Sequence, residues 1–183
     1  MKTIKIALLG FGNVGKAFAQ LLIAKKTELS SRYGLEAKIT AISTRSHGTC
    51  IDPEGLEELR LLEMITNPGG FDLQVLDKSE FEGDSFDFIT QCPADVLIET
   101  TPVNPRSGQP ALDYLTAAAK RGLHLITADK GPVVFGYQQL DQLTKDHGRK
   151  FRFESAVMDG APIFSLFRQP LAGAKLLGFY GIL

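Results

Sequence analysis

The chain has 183 residues, 44% apolar and 22% charged, with 20 Lys and Arg against 21 Asp and Glu for a net charge of −1. These proportions suit an ordinary globular protein with one sizeable core, or one domain and part of a second. The near-neutral balance gives no electrostatic case for nucleic acid or an anionic membrane, and no apolar run nears the ~20 residues that span a bilayer. Cys50 and Cys92 form no C-x-x-C pair and stand beside no histidine cluster, which argues against a disulfide framework or a zinc site and fits a reducing compartment. The apolar run from Ile4 leaves no room for a signal peptide, so the expected location is the cytoplasm.

Residues Ile4 to Leu9 are apolar and bounded by glycine, as in a buried parallel strand. A G-x-G-x-x-G turn follows, Gly10-Phe11-Gly12-Asn13-Val14-Gly15. Val14, Ala17, Phe18, Leu21 and Leu22 then recur with the spacing of one helix face. In this setting Gly10 permits the sharp turn, Gly12 admits a pyrophosphate to the backbone N–H groups, and Gly15 lets the helix pack on the strand. The helix start adds a partial positive charge. A tight strand–helix turn without a ligand is the alternative.

Thr27 to Leu35 is polar and reads as a connection, and Lys38 to Ser43 as the second strand. A site for NAD usually has an Asp or Glu at this strand end to accept from the ribose 2′-OH. Here Ser43-Thr44-Arg45-Ser46 offers no carboxylate, and the planar fork of Arg45 suits a 2′-phosphate. NADP is therefore preferred over NAD, with a solvated surface arginine as the alternative.

The stretch from 47 to 92 is the least regular. Asp52-Pro53 predicts an N-cap and first helical residue, with Leu56, Leu59, Leu62 and Ile65 along one side and an end near Asn67-Pro68. Ser79 to Phe88 predicts another short helix. The three histidines, His47, His124 and His147, read as surface or turn residues rather than catalysts.

Regular alternation then returns. Val96 to Glu99 is a strand, followed by a stiff loop with two prolines, Thr100-Thr101-Pro102-Val103-Asn104-Pro105. A helix opens at Pro110, with Ala111, Leu112, Leu115, Ala118 and Ala119 inward and Gly122 as its stop. Leu123 to Thr127 is a strand, Ala128 to Pro132 a loop, and a helix runs from about Val133 to His147, stopped by Gly148. Lys150 to Glu154 is a strand, Ser155 to Pro162 a loop, and a last helix begins at Pro162. Leu176 to Leu183 reads as a further strand with no turn or cap after it. The expected organisation is a dinucleotide-binding domain over residues 1–170 and, over 171–183, the first strand of a truncated substrate domain.

This is the pattern of a doubly wound, mostly parallel α/β sheet of the Rossmann type, in which ligands sit beyond the carboxyl ends of the strands. The loops 10–15, 43–46, 100–104, 128–131 and 155–161 should converge.

Together the loops resemble homoserine dehydrogenase, specifically its nucleotide-binding half. The pieces that carry the resemblance are Gly10 to Gly15, Glu99 to Pro105, Thr127 to Pro132, Phe153 to Pro162 and Gly178 to Leu183. The first is generic, the others in this order are specific, and they extend over nearly the whole chain. The resemblance implies reversible NAD(P)-dependent reduction of aspartate semialdehyde to homoserine, on the route to threonine and methionine, by a protein that is a homodimer at full length. It implies that Gly10, Phe11, Gly12, Asn13, Val14 and Gly15 bind the pyrophosphate. Thr100, Thr101 and Pro102 belong to the cofactor loop, the last two along the nicotinamide ribose, and Lys130 lies by cofactor and substrate. Glu154, with backbone near Val157, Asp159 and Ala161, corresponds to a monovalent-cation site, although the family's usual glycine is Asp159 here. The substrate-holding carboxylates and a second lysine belong to the half beyond this chain, so the fragment alone is expected to be inactive.

Hydride transfer requires nicotinamide C4 held close to the substrate carbon and a group to carry the alcohol proton. Lys130, before a helix start at the sheet's carboxyl edge, can aid both. The helix dipole and a neighbouring cation favour loss of its proton, while Asp129 acts the other way. A solvated loop lysine is the alternative. Glu154 ends an inner strand and needs a partner, which a cation, a backbone N–H or Lys130 could supply. Two other functions fit parts of the pattern. A redox-sensing or regulatory dinucleotide-binding module would need the glycine loop but neither Lys130 nor Thr101-Pro102. Another dehydrogenase on the same sheet would turn over a different substrate.

Overall fold

The computed structural model describes residues 1–67, 73, 81–158, 160–171, 173–175, 177–178 and 180. Six strands, β1 (Lys2–Leu9), β2 (Leu35–Ser43), β3 (Thr49–Ile51), β4 (Val96–Glu99), β5 (His124–Thr127) and β6 (Phe151–Arg152), form one sheet in the order β3-β2-β1-β4-β5-β6. All neighbouring pairs are parallel except the β2–β3 hairpin. The chain winds outward from β1 through β2, then restarts at β4 on the other side of β1. The crevice between β1 and β4 is thus the topological switch point, where open α/β sheets bind ligands.

Successive side chains of the central strands alternate between two apolar layers. Ala7, Leu9, Leu97 and Leu125 face helices α4 (Ser85–Gln91), α5 (Ala111–Lys120) and α6 (Lys130–Asp146), through Phe88, Leu115 and Leu140. Ile6, Leu8, Ile39, Ile42 and Ile98 face α1 (Asn13–Ala24) and α3 (Glu58–Thr66), through Ala19 and Leu61. Burial on both faces is why these strands are almost continuously apolar. The expected doubly wound, Rossmann-like fold is the fold observed. No helix among the described residues is long and apolar enough to cross a membrane.

Several local expectations are corrected. The polar stretch after α1 is a helix, α2 (Lys26–Tyr33), closed by Gly34 at φ +62° and laced by Glu28 with Lys25 and Arg32. It buries no residue, so it carries no apolar period to detect. The inward face of α1 is rotated by one residue from the expected one. Val14 and Leu21 are exposed, while Gly15 and Ala19 are buried and Phe18 and Leu22 pack beside them. Close approach at Gly15, where a Cβ would lie 2.9 Å from the Gly10 carbonyl oxygen, sets that rotation.

Asp52 does not start a helix. Its Oδ1 accepts from the Glu54 N–H, Gly55 turns at φ +107°, and Leu56 donates its N–H to Ile39 before α3 begins at Glu58. Leu59 consequently points outward and Leu61 inward. Helix α4 starts later than expected, because Asp84 and Asp87 form a capping box at its N-terminus. Helix α6 starts earlier, at Lys130, and the loop after β6 contains the single turn α7 (Ser155–Met158) before α8 (Ile163–Arg168). Of the strand expected over 176–183, Leu177, Gly178 and Tyr180 are described and lie in no strand, and the rest falls outside the described residues.

Candidate functional site

The strand register brings the sequence-predicted loops to one rim. Leu9 pairs with Ser43 on one side and Glu99 on the other, and Glu99 pairs with Thr127. The bonds continue past the strand ends: Gly10 N–H to Ser43 O at 2.8 Å, Thr100 N–H to Leu9 O at 2.8 Å, and Ala128 N–H to Glu99 O at 3.1 Å. Gly10, Thr44, Thr100 and Ala128 therefore leave the sheet side by side, and β6, paired with Ile126 through Arg152, delivers α7 to the same edge.

The glycine turn is built backbone against backbone. Gly10 has φ +98°, and a Cβ there would fall 2.8 Å from the Thr100 carbonyl carbon and oxygen. Thr100 Oγ1 closes the contact by donating to the Gly10 carbonyl at 3.1 Å. Phe11 is buried in the apolar layer with Leu8 and Ile42, so it can serve a ligand only through its backbone. Gly12 is different. Its φ of −79° is open to any residue, and a Cβ would meet nothing within 4 Å. No internal contact demands a glycine there.

Beside it, α1 begins without a side-chain cap, and its first intrahelical bond is Lys16 N–H to Gly12 O. The N–H groups of Asn13, Val14 and Gly15 precede that bond, at the positive end of the helix dipole. Asn13 and Val14 are exposed. This is a site fitted to an anion.

Arg45 lies exposed at the tip of the β2–β3 hairpin, next to the rim. Ser43 is committed elsewhere: its hydroxyl pairs with Thr49 Oγ1 at 2.8 Å and its carbonyl with Gly10. Thr44 likewise holds the hairpin, its Oγ1 donating to Gly48 O and accepting from His47 N–H. Ser43 and Thr44 thus spend their side chains on the hairpin, and Arg45 is the exposed member of the three.

On the far side of the switch point, Glu99 is fully buried and accepts from Thr101 N–H at 2.6 Å, Thr101 Oγ1 at 2.5 Å and Thr127 Oγ1 at 2.5 Å. Burial pushes its carboxyl up, the bonds from Thr101 and Thr127 pull it down, and the net direction is upward. Asp129 caps α6 by accepting from Gly131 N–H at 2.7 Å, and its Oδ2 is buried with no hydrogen-bond partner. Burial raises its carboxyl too, against the Gly131 bond and the Lys130 charge. Pro102 and Lys130 are exposed at this rim.

Glu154 resolves differently. Desolvation pushes its carboxyl up, but bonds from Ser165 Oγ and N–H, with Phe164 N–H and the Arg168 charge, bring it below the usual range. Of the partners the sequence left open, the structure supplies the backbone N–H, from Ser165 in α8, and adds the Ser165 hydroxyl, which the sequence alone does not offer. Val157 is half-buried on α7, Ala161 donates its N–H to Met158 and accepts from Ile163, and Asp159 lies outside the described residues. Among the described residues no group of three or more His, Cys, Asp or Glu side chains could hold a metal ion.

Two site features escape a reading of the sequence. Glu99 is a lone carboxylate closing an apolar strand, a signal that is visible, but its partner Thr127 is 28 residues away. The contact of Gly108 with Gly131 is the other: a Cβ on Gly131 would fall 2.6 Å from the Gly108 Cα. A cavity of about 290 Å³ between α1, β2 and α3, lined by Leu22, Ile23, Lys38, Gly55 and Leu56, includes none of the rim residues.

Comparison with known proteins agrees with this geometry. The family described as homoserine dehydrogenase, NAD binding domain, matches residues 10–154. The homoserine dehydrogenase of Methanocaldococcus jannaschii is 37% identical over 97% of this chain and 52% of its own length. The NAD(+)-dependent homoserine dehydrogenase of Pseudomonas canavaninivorans is 31% identical over 100% of this chain and 51% of its own. Among solved structures, a hyperthermophilic archaeal homoserine dehydrogenase in complex with NADPH aligns with a TM-score of 0.76 and 25% identity, over 94% of this chain and 50% of that one. The chain spans about half the length of these relatives. The glycine turn, the switch-point crevice and the match across residues 10–154 lead to one assignment: this chain belongs to the homoserine dehydrogenase family, as its NAD-binding domain.

Proposed function

We propose that the chain is the nucleotide-binding half of a homoserine dehydrogenase that interconverts homoserine and aspartate semialdehyde, with NADP preferred and NAD accepted. The observation that carries this reading is the open start of α1. Three N–H groups are offered beside a glycine that no internal contact requires. They take the pyrophosphate, and the exposed Arg45 takes the 2′-phosphate, there being no carboxylate at the end of β2 to favour a free ribose hydroxyl. One relative is named as NAD(+)-dependent and one solved neighbour holds NADPH, so the family accommodates both nucleotides.

When bound, the nicotinamide supplies or receives the hydride. Thr101 and Pro102 would hold its ribose and so orient the ring. Lys130, exposed in the first residue of α6, carries or polarises the alcohol proton, help worth about 10²–10⁴-fold in rate. Residues 1–170 form the nucleotide domain and 171–183 lead into a substrate domain that supplies the groups holding the amino acid. This chain alone therefore binds nucleotide without turnover. The full-length protein is a homodimer in the cytoplasm, a compartment that suits two buried free cysteines. A monovalent cation at Glu154, Val157, Asp159 and Ala161 would share the Glu154 carboxylate with Ser165, and none of these steps depends on one.

The test is calorimetric titration of this chain with NADPH and NADH. Both should bind. Gly12→Val should weaken both by on the order of 10²-fold or more, the loss of one or two charge-assisted N–H bonds to phosphate, with the fold retained. Undiminished binding in that variant would remove the proposal.

A further inference from the structure

We infer that Glu99 is a positioning residue of the nucleotide site, whose buried carboxylate turns the Thr101 hydroxyl into an obligate acceptor and ties the Thr101 loop to the start of the Lys130 helix. The inference rests on reading the rim as a nicotinamide nucleotide site.

Glu99 is the last residue of β4, in register with Leu9 and Thr127, so it stands at the middle of the rim. A buried carboxylate is costly there, and the rest of the strand is Val, Leu and Ile. What it receives in return is specific. Oε1 accepts both the N–H and the Oγ1 of Thr101, and Oε2 accepts Thr127 Oγ1. Thr127 Oγ1 in turn accepts from Asp129 N–H at 2.9 Å, and Asp129 Oδ1 accepts from Gly131 N–H. One unbroken series of bonds thus runs from Thr101 to the residues on either side of Lys130. The Gly108–Gly131 backbone contact pins the far end of the same loop to the same helix turn.

The proton inventory fixes the direction of each bond. A threonine hydroxyl has one proton and two lone pairs. Thr127 accepts from Asp129, so its proton goes to Glu99. Thr101 Oγ1 and its own N–H both lie at Oε1, which can only accept from them. The three donors Thr101 N–H, Thr101 Oγ1 and Thr127 Oγ1 suit an ionised carboxylate and fill three of its four lone-pair sites, both of those on Oε1. Having given its proton inward, Thr101 can meet the cleft only with a lone pair. It therefore selects a donor on the ligand, as the ribose hydroxyls or the carboxamide NH₂ of the nicotinamide half provide. A glutamine at 99 cannot reproduce this, because its NH₂ would face one of the donors.

The experiment measures binding of two probes to this chain, NADPH and ADP, the second of which ends at the pyrophosphate. Glu99→Gln should weaken NADPH on the order of tenfold and leave ADP within about twofold. Thr101→Val should reproduce that selective loss, and Thr101→Ser, which keeps the hydroxyl, should restore most of it. If Glu99→Gln does not fold, the Thr101 pair carries the same comparison. Equal loss of both probes in folded variants, or wild-type NADPH affinity in Glu99→Gln or in Thr101→Val, would overturn the positioning role. Failure of the wild-type chain to bind either probe would instead overturn the nucleotide reading beneath it.

Discussion

Helix α1 begins at Gly12 with no side chain over its first turn, whereas α6 begins beneath Asp129, whose carboxylate takes the Gly131 N–H. The third residue of α6 is Pro132, which has no N–H to offer, while the third residue of α1 is Gly15. Both helices point their positive ends at the same rim. One leaves its first turn without a side-chain cap, with Asn13 and Val14 exposed, and the other has closed all but the Lys130 N–H. An anion belongs at α1, where backbone dipoles are free, and α6 is a stiff mount that displays one lysine side chain. On the proposed function, a nucleotide laid across the switch point with its pyrophosphate at α1 would extend its nicotinamide half toward Thr101 and Lys130.

The strongest way to break this contrast is through the two glycines of the first turn. Gly10→Ala should cost about 3 kcal/mol or more in folding stability, because it combines φ +98° with overlap on the Thr100 backbone. Thermal or urea unfolding would show it. Gly12→Val meets no such contact and should spare the fold while removing the ligand. If both glycines proved equally structural, α1 would lose its claim to be an open anion site. A smaller effect sharpens the picture at the other edge. Arg45→Ala should weaken NADPH about tenfold, the worth of a solvent-exposed charged fork on phosphate, and NADH by less than twofold. Equal losses in calorimetry would refute the 2′-phosphate role.

The architecture was legible because parallel strands buried on both faces must be apolar throughout and the glycine turn has few alternatives. Ile6, Leu8 and Leu9 announced β1, and Gly122 and Gly148, both at positive φ, marked the ends of α5 and α6. What was illegible followed from local polarity or distant contact. Helix α2 is polar all round and has no face to read. Asp52-Pro53 fits a helix start and a turn equally well, and only the bond of Leu56 to β2 decides between them. The site was visible as loops but not as bonds. Thr101 and Lys130 could be named from the sequence, while Glu99, which joins them through Thr127, could be recognised only once β4 and β5 were paired.

The least disruptive test of the closed end is Asp129→Asn. Asparagine caps a helix about as well as aspartate, so α6 should still begin at Lys130 and stability at neutral pH should change little. The pH dependence should change in a definite direction. Burial raises the Asp129 carboxyl above its ordinary value, so the folded chain holds this proton more tightly than the unfolded one. Below the unfolded value both states are protonated and the group is neutral in effect. As pH rises from there to the folded value, the unfolded chain releases its proton first, and stability falls until both have released it. Glu99 contributes with the same sign, its carboxyl being raised by burial as well. Urea unfolding of the wild type across the acid range should therefore show a downward contribution that is reduced in Asp129→Asn and restored by no change in salt. If the stability of the wild type instead rose with pH relative to Asp129→Asn, Asp129 would be stabilised by its ionised form. The end of α6 would then be an open electrostatic site like α1, not a closed one.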